Sequence, residues 1–208
     1  MTTEQKTISN HGRNQKGTHE DIFGADAANL PTYAQPDFLF NTRLNEDGCT
    51  ISFVMNTFEK VFFHYLDTPE FKGFAQCNGC KDCSLCEAGI KLDHRILTPV
   101  YNFFEGRMEV LAIPPAMKPT SLAPQLKPLF SKSGLMISIT KNGYQYEVTS
   151  ADIMEGMGID GDKVLAFKNA YDNNEFSLAD IYEIKSNEEL EEISQIKTRL
   201  FLKRGRAA

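Results

Sequence analysis

No stretch of this 208-residue sequence stays apolar for the length of a membrane span, and no apolar run follows a basic start as in a secretory leader. The chain therefore reads as cytoplasmic. Residue patterns of the common catalytic sites are missing too: there is no phosphate-cradling glycine loop with its lysine, no nucleophile elbow and no His-Glu-x-x-His helix. The expectation is a binding protein, not an enzyme. Basic residues are in deficit, with 22 Lys and Arg against 28 Asp and Glu and a net charge of −6. That is the wrong sign for a surface drawn onto phosphates by counterion release. The deficit is uneven, however. Residues 58–146 carry ten basic and eight acidic side chains, whereas residues 147–192 carry three and thirteen.

What the sequence does have is a dense cysteine element. Four of its five cysteines fall in Cys77-Asn-Gly-Cys80-Lys-Asp-Cys83-Ser-Leu-Cys86. In a reducing compartment, cysteines three apart point to metal or redox chemistry before disulfides. Zinc and iron–sulfur clusters both take thiolates. A ferredoxin run ends in a three-residue gap and Cys-Pro, but here the last gap is two residues and Glu87 follows. A zinc held by all four cysteines would join two Cys-x-x-Cys turns through Lys81 and Asp82 alone, which leaves little chain to form a tetrahedron. An outside ligand would relieve this. His64, in the strand-like run Glu59-Lys-Val-Phe-Phe-His64-Tyr-Leu, is the best candidate, against the plainer reading of a half-buried strand histidine. His94 is the weaker alternative. His11 and His19 lie in polar chain, and Cys49 reads as a small buried hydrophobe.

The spacing His64-x12-Cys77, followed by Cys83-x2-Cys86 and Gly89, resembles the zinc site of bacteriophage single-stranded-DNA-binding proteins of the helix-destabilising type. In the T-even version a zinc subdomain with three cysteines and one histidine is inserted into an oligonucleotide-binding (OB) barrel. The middle gap of five residues is shorter here, Cys80 is extra, and Ser84 stands where smaller phage relatives have proline. The likeness runs loosely from Phe38 to Tyr182. It implies one structural Zn2+ on His64, Cys77, Cys83 and Cys86, with Cys80 as alternative ligand. It also implies sequence-tolerant binding of single-stranded DNA in phage replication, recombination and repair.

Strand signals suit that architecture. Phe38–Leu44 and Cys49–Asn56 flank the turn Asn45-Glu-Asp-Gly48, and Arg95–Phe104 and Arg107–Ile113 flank Glu105-Gly106. Five of the nine prolines lie between Pro114 and Pro128, where Thr120 or Ser121 can cap a short helix through Leu122, Leu126 and Leu129. Leu135–Thr140 and Tyr144–Thr149 surround Lys141-Asn-Gly143, a hairpin signal. The expected fold is mainly β: a five-stranded OB barrel over residues 37–150, with the zinc insertion at about 64–94. Residues 1–36 would form a flexible arm that could aid self-association on DNA. Residues 151–208 would form an acidic, partly ordered segment able to recruit replication proteins, then an amphipathic helix opened by the capping box Ser186-Asn-Glu-Glu189. That helix would pack on the barrel or on a second copy of the chain, not on a membrane.

Candidate DNA contacts follow from strand position. Tyr101, Phe103, Tyr144 and Tyr146 could stack on bases, and Arg95, Arg107, Lys118, Lys132 and Lys141 could meet phosphates. Two further readings compete: a zinc-ribbon adaptor for replication or transcription proteins without DNA affinity, and an iron–sulfur redox protein.

Overall fold

The computed structural model describes residues 39–115, 118–132, 134–154, 157–182 and 184–205, so the expected N-terminal arm lies outside the described residues. Seven strands form one antiparallel sheet: β1 (Cys49–Ser52), β2 (Glu59–Asp67), β3 (Lys72–Gln76), β4 (Leu92–Asn102), β5 (Arg107–Ile113), β6 (Leu135–Asn142) and β7 (Gln145–Asp152). The order is β3-β2-β4-β1-β6-β7, with β5 on the other edge of β4. β4 is long enough to take two partners along one edge, β2 against its first half (Phe62 opposite His94) and β1 against its end (Ile51 opposite Asn102).

The sheet is open, which corrects the expected five-stranded closed barrel. The edges that closure would use are already occupied. On β5, Val110 donates its N–H to Phe40 O at 2.7 Å and accepts from Thr42 N–H at 2.9 Å. Residues 40–42 thus run parallel to β5 instead of pairing with β1 as the first strand of the expected hairpin. On β7, Tyr146 N–H donates to Thr120 O at 3.0 Å and Gln125 Nε2 donates to Tyr146 O at 2.8 Å, so the segment around helix α2 (Leu122–Leu126) takes those positions.

The closing hairpin forms where its sequence signal lies. Asn142 opposes Gln145, and the two loop residues are Gly143 and Tyr144. Gly143 has φ +58°, a value that a side chain disfavours, whereas no such angle occurs at Tyr144. Period-two alternation sends Ile137 and Ile139 into the core and leaves Ser138 and Thr140 outside.

The two sheet faces have different coverings. One buries Val61, Phe63, Leu97 and Tyr101 under helix α3 (Gly161–Asp172) and the 3₁₀ turn Leu178–Ile181, through Phe167, Phe176 and Leu178. Asp160 caps α3 by accepting N–H bonds from Asp162 and Lys163. The acidic segment is therefore largely ordered, because its apolar residues supply this covering. The other face carries two separate clusters. At the β1/β6 end, Ile51, Val100, Ile137 and Ile139 pack against Leu122 and Leu126 of α2. At the β2/β3 end, Leu66 and Ala75 pack with the cysteine element and with helices α4 (Asn187–Glu192) and α5 (Ser194–Arg204).

The C-terminal segment starts at the Ser186–Glu189 capping box, both halves of which form. It continues as two helices where one was expected, because Ile193 is extended, with ψ 118°. The break buries Ile193 and lets Ser194 Oγ donate to Glu70 Oε1 at 2.6 Å. Among the described residues, no helix is long and apolar enough to cross a membrane.

Leu200 is 2% exposed in the cluster beneath the cysteine element. Leu200→Ala should lower the unfolding free energy by about 2–5 kcal/mol. Chemical denaturation read by circular dichroism checks this, and a loss well under 1 kcal/mol would place α5 off the core.

Candidate metal centre and the adjoining sheet face

Strand parity builds the first half of the centre. β2 alternates between the two faces, so Val61 and Phe63 enter the main core while Lys60, Phe62, His64 and Leu66 point to the opposite side. β3 returns antiparallel, with Ala75 opposite His64, and delivers Cys77 one residue beyond its end. Cys77 is anchored there by its N–H donating to Phe62 O at 2.9 Å. The chain then turns through residues 78–82 into α1 (Ser84–Glu87), which has Cys83 at its start and Cys86 on its last turn. Gly89, at φ +72°, reverses the chain into β4.

These elements bring together His64, Cys77, Cys83 and Cys86, whose ligand atoms all lie within 4.8 Å of one another. His64 Nε2 is 3.4 Å from Cys86 Sγ and 3.7 Å from Cys83 Sγ, and Cys77 Sγ is 3.7 Å from Cys86 Sγ. A tetrahedral ion bonded at about 2.3 Å to sulfur and about 2.0 Å to nitrogen sets sulfurs about 3.8 Å apart and sulfur about 3.5 Å from nitrogen. The four residues thus form a cage of the right size for one metal ion. Cys80, the alternative ligand, is exposed and lies outside this group. His94 is also outside, on the exposed side of β4 opposite Phe62.

The histidine is oriented by backbone. His64 is fully buried, and its Nδ1 lies 3.2 Å from Ile90 O and 3.1 Å from Lys91 O. Two carbonyls require Nδ1 to carry the proton, which leaves the Nε2 lone pair for the cage. Burial lowers the His64 pKa, outweighing the opposing pull of the two carbonyls, and so favours the neutral ring that a metal needs. Sequence reasoning did not find this pair of carbonyls, since backbone acceptors leave no signature in residue type.

The thiols lack a cation of their own. Burial pushes the Cys86 and Cys77 thiols up. Cys83 is also subject to burial, but hydrogen bonds from the backbone of Cys86, Asn78 and Leu85 outweigh it and hold the thiol below its ordinary value. An ion in the cage would stabilise all three as thiolates.

A polar clasp holds the knuckle from outside. Asn187 Oδ1 accepts Ser84 N–H at 3.1 Å, Ser84 Oγ donates to Glu191 Oε1 at 2.7 Å, and Lys203 Nζ donates to Glu87 O at 2.7 Å. Arg204 forks onto Glu87 at 2.8 and 2.7 Å and reaches Glu191 at 3.1 Å. Its guanidinium is the leading cause holding both carboxyls below the usual range. Such depressed acids stabilise the clasp above the ordinary carboxylate pKa, and that support is lost as pH falls through the folded values.

The residues expected to contact DNA do not share one surface. Tyr101 is in the core, and Phe103 packs half-buried against it. Arg95 lies over the Phe74 and Phe63 rings, at 4.8 and 5.5 Å, on the face that carries α3. Arg107 stacks 3.7 Å above Phe40 and pairs with buried Glu109 at 3.1 Å, so its charge is already neutralised. It borders a groove of about 860 Å³ with Phe104 and Arg43. Tyr144 projects from the β6–β7 tip beside half-buried Lys141, Tyr146 packs on the α2 cluster, and Lys118 and Lys132 are exposed.

A further strip lies between the knuckle and α2. Phe62 is 43% exposed and Phe58 60%, with Lys60 Nζ 5.0 Å from the Phe62 ring centroid and His94 at 5.9 Å. Ile96, opposite Lys60, continues the strip on β4. The signal was present: once His64 is a ligand, period two puts Phe62 and Lys60 on its face.

Cys80→Ser should retain one metal ion per chain, and Cys83→Ser should lose it. Elemental analysis of purified protein distinguishes them, and loss of the ion from Cys80→Ser would overturn the histidine-containing cage. No protein-family model matches the chain, and no curated protein or solved structure shows significant similarity to it.

Proposed function

We propose that this protein binds single-stranded DNA in a largely sequence-tolerant way, using the strip beside the metal knuckle, and that the caged ion is a structural zinc. The observation that carries the reading is the uncovered aromatic and cationic strip of Phe58, Lys60, Phe62 and His94 on an otherwise covered sheet face. Exposed rings grouped in one contiguous strip mark an interaction surface, whereas singly exposed ones do not. Unpaired bases present π-faces that stack on aromatic side chains without regard to sequence, and a lysine alongside meets phosphate. The sheet with its inserted knuckle is compatible with an OB-related fold of the phage type, the open edges being occupied by loop backbone and α2.

Zinc suits three thiolates and one imidazole in a tetrahedral cage of this size. All four tetrahedral positions are taken by protein, so the ion has a structural role and no open position for hydrolysis. A multi-iron cluster would divide its ligands among separate irons, whereas these four converge on one point. A protein-binding adaptor is the second reading, favoured by Phe201 and Leu202, which are 76% and 54% exposed on α5.

Fluorescence anisotropy with mixed-sequence oligonucleotides tests the proposal. Binding should weaken as salt rises, and Phe62→Ala should cost about 1–3 kcal/mol, the usual worth of one stacked base. Tyr144→Ala, at the distant hairpin tip, should change affinity far less. Flat titrations with stable capture of a protein partner would favour the adaptor instead.

A further inference from the structure

At the end of the strip away from the knuckle, Phe58 and Ile96 run into a slot of about 310 Å³. Ile113 on β5, Ala123 and Leu126 on α2 and Phe130 beyond it complete the walls. Phe130 is fixed by an edge-to-face contact with Phe53 at 5.0 Å. Lys127 at the rim is the one polar residue among the lining side chains. The geometry points to a slot that receives the C5-methyl side of one thymine from a bound single strand. This rests on the strip being the path of that strand.

The occupant follows from chemistry. A group entering carbon-lined walls sheds water, and a carbonyl or amino edge would find no partner there to replace it. The base that offers an apolar edge is thymine, whose methyl group is read elsewhere by alanine and phenylalanine side chains. Charge fits the same occupant, because the cations flanking the apolar floor, Lys127 at the rim and Lys60 on the strip, complement a polyanionic backbone. Phe58 and Ile96 belong to both strip and slot, so a strand stacked along the first reaches the second without leaving the protein surface. Uracil has the same hydrogen-bonding edge as thymine and lacks only the methyl group. The slot therefore tells thymine from uracil, and with it DNA from RNA, while leaving the rest of the sequence unread.

The test is a competition between oligodeoxythymidylate and oligodeoxyuridylate of equal length, which share sugar and charge. The thymidylate should bind about fourfold more tightly, the equivalent of one buried methyl group at roughly 0.8 kcal/mol. Ala123→Leu, which fills the slot from α2, should bring that ratio to about one. Equal binding of both oligomers to the unmodified protein would overturn the slot while leaving the strip intact, and persistence of the fourfold ratio in Ala123→Leu would do the same. Binding of neither oligomer would remove the strip reading as well. If Ala123→Leu fails to fold by circular dichroism, the ratio in the unmodified protein decides alone.

Discussion

The tie between one strand histidine and a three-cysteine knuckle is the constraint on which the rest of the molecule is arranged. His64 sits in the middle of three strands, with Ala75 on one side and Leu92 on the other. Its ring is held by two carbonyls of the loop that leaves the knuckle. Sheet, knuckle and exit loop therefore meet at one side chain. An ion in that cage fixes all three at once, and the C-terminal helices then have a rigid surface to pack against. Leu190, Ile196 and Leu200 share a cluster with Cys83 and Leu85, so the last helices depend on chain more than a hundred residues earlier.

Placing the knuckle on one end of a sheet face has a consequence for the other end. The α2 cluster covers the same face from the opposite side, and the two coverings leave a gap two strands wide. Within it Phe62, Lys60, Phe58, His94 and Ile96 have no covering element among the described residues. Phe62 and Phe58, at 43% and 60% exposed, each forgo part of the roughly 1.5–3 kcal/mol that full burial of a phenylalanine supplies. On the proposed function, it is where unpaired bases would lie, between the knuckle and helix α2.

The metal element was the most legible part of the sequence, because thiolate spacing and one strand-borne histidine carry their chemistry in residue type. At Gly48 the turn formed without its expected hairpin, whereas hairpins were legible at Gly106 and Gly143, where glycine takes positive φ. Barrel closure was not, because it turns on which backbone groups reach β5 and β7 first, and Phe40, Thr42 and Thr120 carry no sign of this. The aromatic residues failed differently. Tyr101 and Phe62 have the same chemistry and both lie on strands, yet one is in the core and the other exposed. Parity relative to His64 separates residues on β2, but placing Tyr101 requires the register of β4 against β5. The end of the chain reads as one helix from periodicity alone, and Ile193 breaks it because burial of that side chain outweighs one turn of hydrogen bonds.

The negative net charge, the wrong sign for a polyanionic ligand, is unevenly placed on the two sheet faces. The stretch from Asp160 to Asp180 folds through Phe167, Phe176 and Leu178 onto the sheet face opposite the strip, whereas Glu188, Glu189, Glu191 and Glu192 of α4 lie at the knuckle end of the strip's own face. Layers packed on a sheet stand about 10 Å away, close to the screening length of physiological salt at about 8 Å. On the proposed function, a strand lying over Lys60 and Phe62 would be separated by distance and ions from the carboxylates of the opposite face, but not from those of α4. What the Asp160–Asp180 stretch supplies is packing over Val61, Phe63, Leu97 and Tyr101.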